Sequence, residues 1–122
     1  MAPRTGTPSR WGGLVLLALL PSGSALASDK PSPDGIEFFE KKVRPVLVKH
    51  CYSCHSADAK KVKGELHLDT RAGVLAGGAS GPAVIPGEPE KSLLIKAVRH
   101  ADESLQMPKE KLSAAEIADL EA

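Results

Sequence analysis

Apolar residues recur at helical spacing in the stretch that runs up to the first cysteine: Phe39, Val43, Val46 and Leu47, followed by His50. Asp34 is placed to cap this helix, which we predict to begin near Ile36. Pro45 lacks a backbone N–H, so it predicts a kink or a boundary near Arg44. The pattern therefore predicts an N-terminal helix whose end carries the cysteines.

The stretch from residue 56 to residue 91 has no sustained period and predicts a long irregular loop. It is rich in Gly and Pro from Gly73 through Pro89. A connection of this length is uncommon and usually functional, although an ordinary mobile loop is the alternative. Candidate residues for the wall of a ligand pocket are Leu66, Leu68, Val74, Leu75 and Val84.

Two more helices are predicted after this loop. Ser92 can cap a short helix with Lys96 and Arg99 toward its C-terminal end. Ser113 and Glu116 form a capping-box pattern for a final helix, with Leu112 and Ile117 as its hydrophobic staple. That helix reaches Ala122 without a capping residue, so we expect it to be truncated. The predicted fold class is all-α.

The N-terminus has the pattern of an export signal. Arg4 and Arg10 precede the short apolar run 14–20, and Ala25-Leu26-Ala27 supplies small residues for cleavage. We predict a signal peptide over residues 1–27, a flexible lead-in over residues 28–35 and one domain over residues 36–122. The alternative is an uncleaved anchor, and only then is a membrane a partner.

The 95 residues from 28 to 122 are few for a self-sufficient hydrophobic core. Their aromatic residues are Phe38, Phe39 and Tyr52. They hold 14 Lys and Arg against 15 Asp and Glu, a net charge of −1, which gives no indication of nucleic acid or an acidic membrane as a partner. A domain of this size usually needs a metal, a disulfide or a cofactor for stability.

The chain's two cysteines fall in Cys51-Tyr52-Ser53-Cys54-His55, the pattern for covalent attachment of haem. Cys51 and Cys54 lie one helical turn apart, so both thiols can reach the vinyl groups on one porphyrin edge. His55 can then ligate the iron as the proximal ligand. The predicted cofactor is haem c.

Other uses of the two cysteines are less favoured. A disulfide across two residues would stabilise little, and a thioredoxin-like pair needs a βαβ context that the sequence lacks. A structural zinc site needs four ligands, and His50, His67 and His100 do not lie at finger spacing. A zinc or thiol-redox module thus remains the minor alternative.

Met107 is the only methionine after the predicted signal peptide and is the candidate sixth ligand of the iron. It precedes Pro108, which biases it toward extended backbone. His100 and His67 are the competing ligands, and a packing role is the alternative for Met107. With both axial positions filled, the iron transfers electrons, whereas an open position would allow peroxide or gas chemistry.

Several motifs together resemble the planctomycete-type cytochrome c domain over about residues 36–121. They are 38–47 leading into the CxxCH pattern, 64–71, 77–83 and 84–94. The resemblance implies a small c-type cytochrome fold with haem between N- and C-terminal helices, and Met107 matches the Met-Pro of the family. In that family the last helix continues beyond Leu-Glu-Ala, and the domain commonly begins a longer exported protein.

The resemblance also implies that Pro82 corresponds to the Gly-Pro of other c-type cytochromes. We expect His55 to donate its other ring nitrogen to a backbone carbonyl. The predicted function is that of an exported one-electron carrier, periplasmic or on the cell surface, with an unidentified redox partner protein. The alternatives are a peroxidase-like haem enzyme and an N-terminal electron-input module of a larger exported protein.

Overall fold

The structure, a computed structural model, describes Gly6 and residues 30–122. This part of the chain contains helices α1 (Pro33–Phe38), α2 (Arg44–His50), α3 (Arg71–Ala76), α4 (Leu93–Val98) and α5 (Ala114–Glu121). A π-helical turn, Phe39–Val43, joins α1 to α2, and single 3-10 turns occur at Lys63–Glu65, Pro89–Lys91 and Glu103–Leu105. The described residues form no β-strand, which confirms the all-α prediction.

The predicted signal peptide lies, apart from Gly6, outside the described residues. Within the described part, we find no helix with the length and apolar character needed to cross a membrane.

The first helix begins at Pro33, earlier than predicted, and its cap is Ser32 rather than Asp34. The Ser32 hydroxyl accepts a hydrogen bond from the backbone N–H of Gly35 at 3.1 Å. Proline suits the first helical position because its fixed φ is already helical and its missing N–H would have no partner there. Ser32 and Pro33 together are the start signal for this helix in the sequence.

A shift in hydrogen bonding marks the boundary that Pro45 predicted near Arg44. The backbone N–H of Arg44 bonds to the carbonyl of Phe39, five residues earlier, which makes a π-helical turn. Helix α2 starts again at Arg44 and places Pro45 in its first turn, where a backbone donor is not needed. The chain therefore keeps its helical course up to His50.

An apolar cluster joins the two ends of the described domain. Val46 of α2, Val98 of α4 and Leu112 are each at most 6% exposed, and Ile117 and Leu120 of α5 pack against them. Full burial of such side chains contributes roughly 1.5–3 kcal/mol each. Helix α5 is therefore held by both α4 and the N-terminal helical segment.

The predicted capping box of α5 is confirmed, and its glutamate has a second role. The Ser113 side chain accepts from the backbone N–H of Glu116, and the Glu116 carboxylate accepts from that of Ser113 at 3.0 Å. The Glu116 Oε1 atom also accepts a hydrogen bond from His50 Nε2 at 3.1 Å. The Glu116 carboxylate thus completes the capping box of α5 and links α5 to the end of α2 by a hydrogen bond.

We expect acid to weaken the domain partly through Glu116. Hydrogen bonds from the Ser113 backbone and hydroxyl, and then from His50, hold the pKa of Glu116 at about 2, below its usual value of 4.5. Because the folded-state pKa is lowered, this stabilisation is present above pH 4.5 and is lost as the pH falls toward 2. The thermal midpoint of Glu116→Gln, followed by circular dichroism, should fall less steeply over this range than that of the wild type.

Glu103→Gln is the matched control, because Glu103 is exposed and lies in a 3-10 turn away from α5. It should retain the wild-type pH dependence. Equal slopes for the two variants would show that Glu116 has no special part in acid unfolding.

Ser92 precedes α4 as predicted but does not cap it. Its side chain makes no capping hydrogen bond to the helix. The hydroxyl instead accepts from the backbone N–H of Ile85 at 2.9 Å and donates to the carbonyl of Glu88 at 3.0 Å. Ser92 is 2% exposed, and its hydroxyl organises the preceding loop rather than the helix.

Candidate functional site

The segment 51–55 continues from α2 as one further turn of chain. The backbone N–H of Cys51 bonds to the carbonyl of Leu47 at 2.8 Å, and that of His55 bonds to the carbonyl of Cys51 at 2.9 Å. This spacing of four residues is that of a helical turn. The structure therefore brings Cys51, Cys54 and His55 together on one turn, as the sequence predicted.

The loop that follows holds the carbonyl groups of this turn. The backbone N–H of Lys63 donates to the Cys54 carbonyl at 2.9 Å, and that of Leu68 donates to the His55 carbonyl at 2.8 Å. Ser56, which is 4% exposed, donates its hydroxyl hydrogen to the Tyr52 carbonyl at 2.7 Å. Hydrogen bonds from the following loop and from Ser56 thus fix the carbonyl groups of this turn.

Asp69 gives a further support that the sequence analysis missed. Its Oδ2 atom accepts a hydrogen bond from the backbone N–H of Ala57 at 2.8 Å. This bond holds the pKa of the Asp69 carboxyl below its usual range. In the sequence, Asp69 is visible only as an acidic residue next to Leu68, which is buried. That position does not indicate a hydrogen bond to Ala57, which lies 12 residues earlier.

A glycine turn packs against the same loop. Gly77 has a φ of +74°, and a Cβ atom on it would lie 2.1 Å from the carbonyl oxygen of Gly81. Only glycine fits such a close backbone approach in the left-handed region. The Gly-rich stretch is therefore ordered around residues 77–81 by backbone contact.

Both cysteines are free thiols rather than a disulfide. Burial raises the pKa of the Cys51 thiol to about 11, so it stays protonated at neutral pH. This direction is opposite to the lowered pKa of a reactive redox thiol. Among the described residues, no group of three or more His, Cys, Asp or Glu side chains is placed to hold a metal ion, so the three motif residues do not converge as in a closed zinc site.

The hydrogen bonding of the second ring nitrogen of His55 differs from expectation. Its Nδ1 atom is buried and has no hydrogen-bond partner, so the predicted bond to a backbone carbonyl does not form. A buried, protonated ring nitrogen needs an acceptor when its partner nitrogen binds a metal.

Pro82, which the resemblance matches to the Gly-Pro of other c-type cytochromes, is exposed.

Met107 lies on a separate segment that follows the 3-10 turn Glu103–Leu105. Its backbone N–H donates to the carbonyl of Ala97 at 3.2 Å, which anchors it to α4. The residue is 51% exposed. The structure places the candidate sixth ligand on the surface near the end of α4 rather than on the turn of the cysteines.

His100 and His67, the alternatives to Met107 as sixth ligand, both lie close to other polar groups. The Nε2 atom of His100 lies 2.8 Å from the carbonyl oxygen of Pro108, so this nitrogen donates its hydrogen and is not free to bind a metal. The Nδ1 atom of His67 lies 3.8 Å from Oδ1 of Asp69, and the His67 side chain is 43% exposed. These contacts weaken the case for His100 more than that for His67.

A cavity of about 830 Å³ opens beside the cysteine turn. Its lining includes Tyr52, Cys54 and the three lysines of the loop, Lys60, Lys61 and Lys63. The predicted wall residues do not line it: Leu68 is buried, Leu66, Val74 and Val84 are half-buried, and Leu75 is exposed. The cavity adjoins one thiol of the pair but includes neither His55 nor Met107.

The model of the family described as planctomycete cytochrome C matches residues 51–111, half of the 122-residue chain. The match begins at Cys51 and includes both cysteines, His55 and Met107. No curated protein and no solved structure matches the chain.

Proposed function

The chain belongs to the planctomycete cytochrome c family, and on that premise we propose that it is an exported one-electron carrier with His/Met-ligated haem c. The observation that carries the proposal is the turn 51–55, where two free thiols and an imidazole stand together at the end of α2. Family membership indicates a domain that binds haem and transfers electrons. The export, the ligand pair and the redox partner protein are our proposals.

The residues of this turn fit covalently bound haem. Cys51 and Cys54 are both reduced, as thioether formation requires, and would hold the porphyrin edge. The buried Nδ1 of His55 has no protein partner that would draw the imidazole into another structural role. His55 would therefore be the proximal ligand of the iron.

When bound, haem supplies an iron that cycles between the ferrous and ferric states. The chain keeps the ligands in place during that cycle. Backbone bonds from Lys63 and Leu68 fix the carbonyls of Cys54 and His55, so the histidine backbone need not move when the charge changes. Rigid ligand positions lower the reorganisation that electron transfer requires.

Met107 is the sixth ligand in this proposal. Two observations support it: the family match extends over Met107, and the Nε2 atom of His100 is bonded to the Pro108 carbonyl. A neutral thioether favours ferrous iron and raises the potential.

The exposed Met107 side chain is also the observation that favours the second candidate, a peroxidase-like enzyme with a displaceable sixth ligand. Hydrogen peroxide binds iron only where an axial position is open. The two candidates therefore differ in the occupancy of a single coordination position.

A redox titration of protein matured in a periplasmic haem-attachment system tests the proposal. We expect a reversible one-electron curve, a low-spin spectrum in both oxidation states and no peroxide turnover above that of free haem. A high-spin ferric spectrum with rapid peroxide turnover would support the enzyme instead. Protein isolated without haem from that system would contradict both candidates.

A further inference from the structure

Helix α4 is followed by a histidine in a backbone conformation that usually requires glycine. The N–H of His100 bonds to the carbonyl of Ala97 at 3.1 Å, and that of Ala101 bonds to the carbonyl of Lys96 at 3.3 Å. These two bonds form a Schellman motif, in which the residue after the helix cap has left-handed backbone. His100 takes that position with a φ of +55°. A Cβ atom makes this conformation unfavourable, whereas glycine adopts it freely.

The side chain of His100 makes a contact that glycine could not make. Its Nε2 atom lies 2.8 Å from the carbonyl oxygen of Pro108. A carbonyl oxygen can only accept, so the imidazole donates this hydrogen bond. Residues in strained backbone conformations persist where surrounding contacts hold them, and they cluster at functional sites. The bond to Pro108 is a contact of this kind.

The same end of α4 holds the chain on both sides of the Met107 side chain. The backbone N–H of Met107 donates to the carbonyl of Ala97 at 3.2 Å. His100 binds the carbonyl of the next residue, Pro108. The backbone at Met107 is thus anchored twice, while its side chain is 51% exposed and remains accessible.

We propose that His100 is the positioning residue for Met107, and that its hydrogen bond to the Pro108 carbonyl holds the thioether ready to bind the haem iron. This inference rests on the proposed function and adds the means by which the sixth ligand is held. A segment that is ordered before binding loses less conformational entropy when it binds, so its affinity is higher. His100 therefore favours the bond between sulfur and iron although it does not itself bind the metal.

The first test is the affinity of the ferric, haem-loaded protein for added imidazole, which competes with Met107 for the sixth position. His100→Gly removes the side chain and also relieves the left-handed backbone, so its fold should not be impaired. We expect imidazole to bind about tenfold more tightly to this variant, the lower end of the effect of indirect partners on metal sites. The change in the visible absorbance of the haem measures the binding.

His100→Gln is the conservative variant for this measurement. It keeps a Cβ atom at the left-handed position, and its side-chain amide can still donate to the Pro108 carbonyl. We expect its affinity for imidazole to stay within about threefold of that of the wild type. If His100→Gln bound imidazole as tightly as His100→Gly, the hydrogen bond would not be the cause and the inference would be wrong.

Glu65→Gly is the matched control for the change in backbone. Among the described residues, Glu65 is the other non-glycine residue with a positive φ, at +54°, and it is exposed. It lies in a different turn, Lys63–Glu65. Solvent screens the charge that this variant loses, so we expect a change in imidazole affinity below about twofold. Equal shifts in Glu65→Gly and His100→Gly would overturn the role of His100.

The second test is hydrogen exchange of the Met107 amide in the same ferric protein. This N–H bonds to Ala97, so its exchange rate reports how firmly the segment is held. We expect exchange to be about tenfold faster in His100→Gly than in the wild type. Unchanged exchange, or faster exchange with unchanged imidazole affinity, would overturn the inference and leave the electron-carrier proposal intact. A bis-histidine or high-spin spectrum in the wild type would instead contradict the proposed ligation by Met107, and this inference with it.

Discussion

Replacing Cys51 and Cys54 together by alanine will leave the protein without covalently held haem. The two thiols are free and stand on one turn, so they are the groups through which a porphyrin can be linked. Wild-type protein should keep essentially all its haem through acidified organic extraction, and the double variant should lose all of it. Each single variant should keep one thioether link and resist extraction.

Ser53→Ala is the control for this loss, because Ser53 lies between the cysteines and is exposed. It should keep its haem as the wild type does. Release of haem from the wild type would show that the thioether assignment is wrong. The double variant should also unfold at a lower temperature, since a ligand that binds only the folded state stabilises it and 95 residues after the predicted signal offer few other apolar groups.

Met107→Ala will lower the potential of the haem and abolish the weak near-infrared band that a sulfur-to-iron bond produces in ferric protein. The replacement exchanges a soft thioether for water or a nitrogen ligand, and axial ligands move haem potentials over a range of about 0.8 V. We expect a fall of at least about 0.1 V, measured by redox titration. The apolar cluster should stay intact, because Met107 is 51% exposed and lies outside that cluster.

Gln106→Ala is the neighbouring control, since Gln106 is exposed on the same segment. It should keep both the band and the wild-type potential. A bis-histidine spectrum in the wild type would contradict the ligation by Met107. His67 would then be the first candidate to replace, because His100 Nε2 already donates to Pro108.

The features that the sequence predicted well are those set by residues close together in the chain. The capping box joins Ser113 and Glu116, which are three positions apart. The boundary at Arg44 follows from the missing donor of Pro45. The turn of the cysteines follows from the four-residue spacing of Cys51 and His55. Local backbone geometry decides each of these.

The features that could not be predicted from the sequence depend on residues that the fold brings together. Nothing near Ser92 indicates that its hydroxyl bonds to Ile85 and Glu88 instead of capping α4. The distant hydrogen-bond partner of Glu116 is His50, which lies 66 residues earlier. The carboxylate of Asp69 beside the cysteine turn is likewise visible only when the loop has folded back.

The short loop closures around the cysteine turn have a consequence for the order in which the domain assembles. The bond from Ala57 to Asp69 closes a loop of 12 residues, whereas the bond from His50 to Glu116 joins residues 66 apart. Closing a longer loop costs more chain entropy, so contacts between distant residues form later. We therefore expect the segment that is proposed to bind haem to reach its native shape while α5 is still undocked.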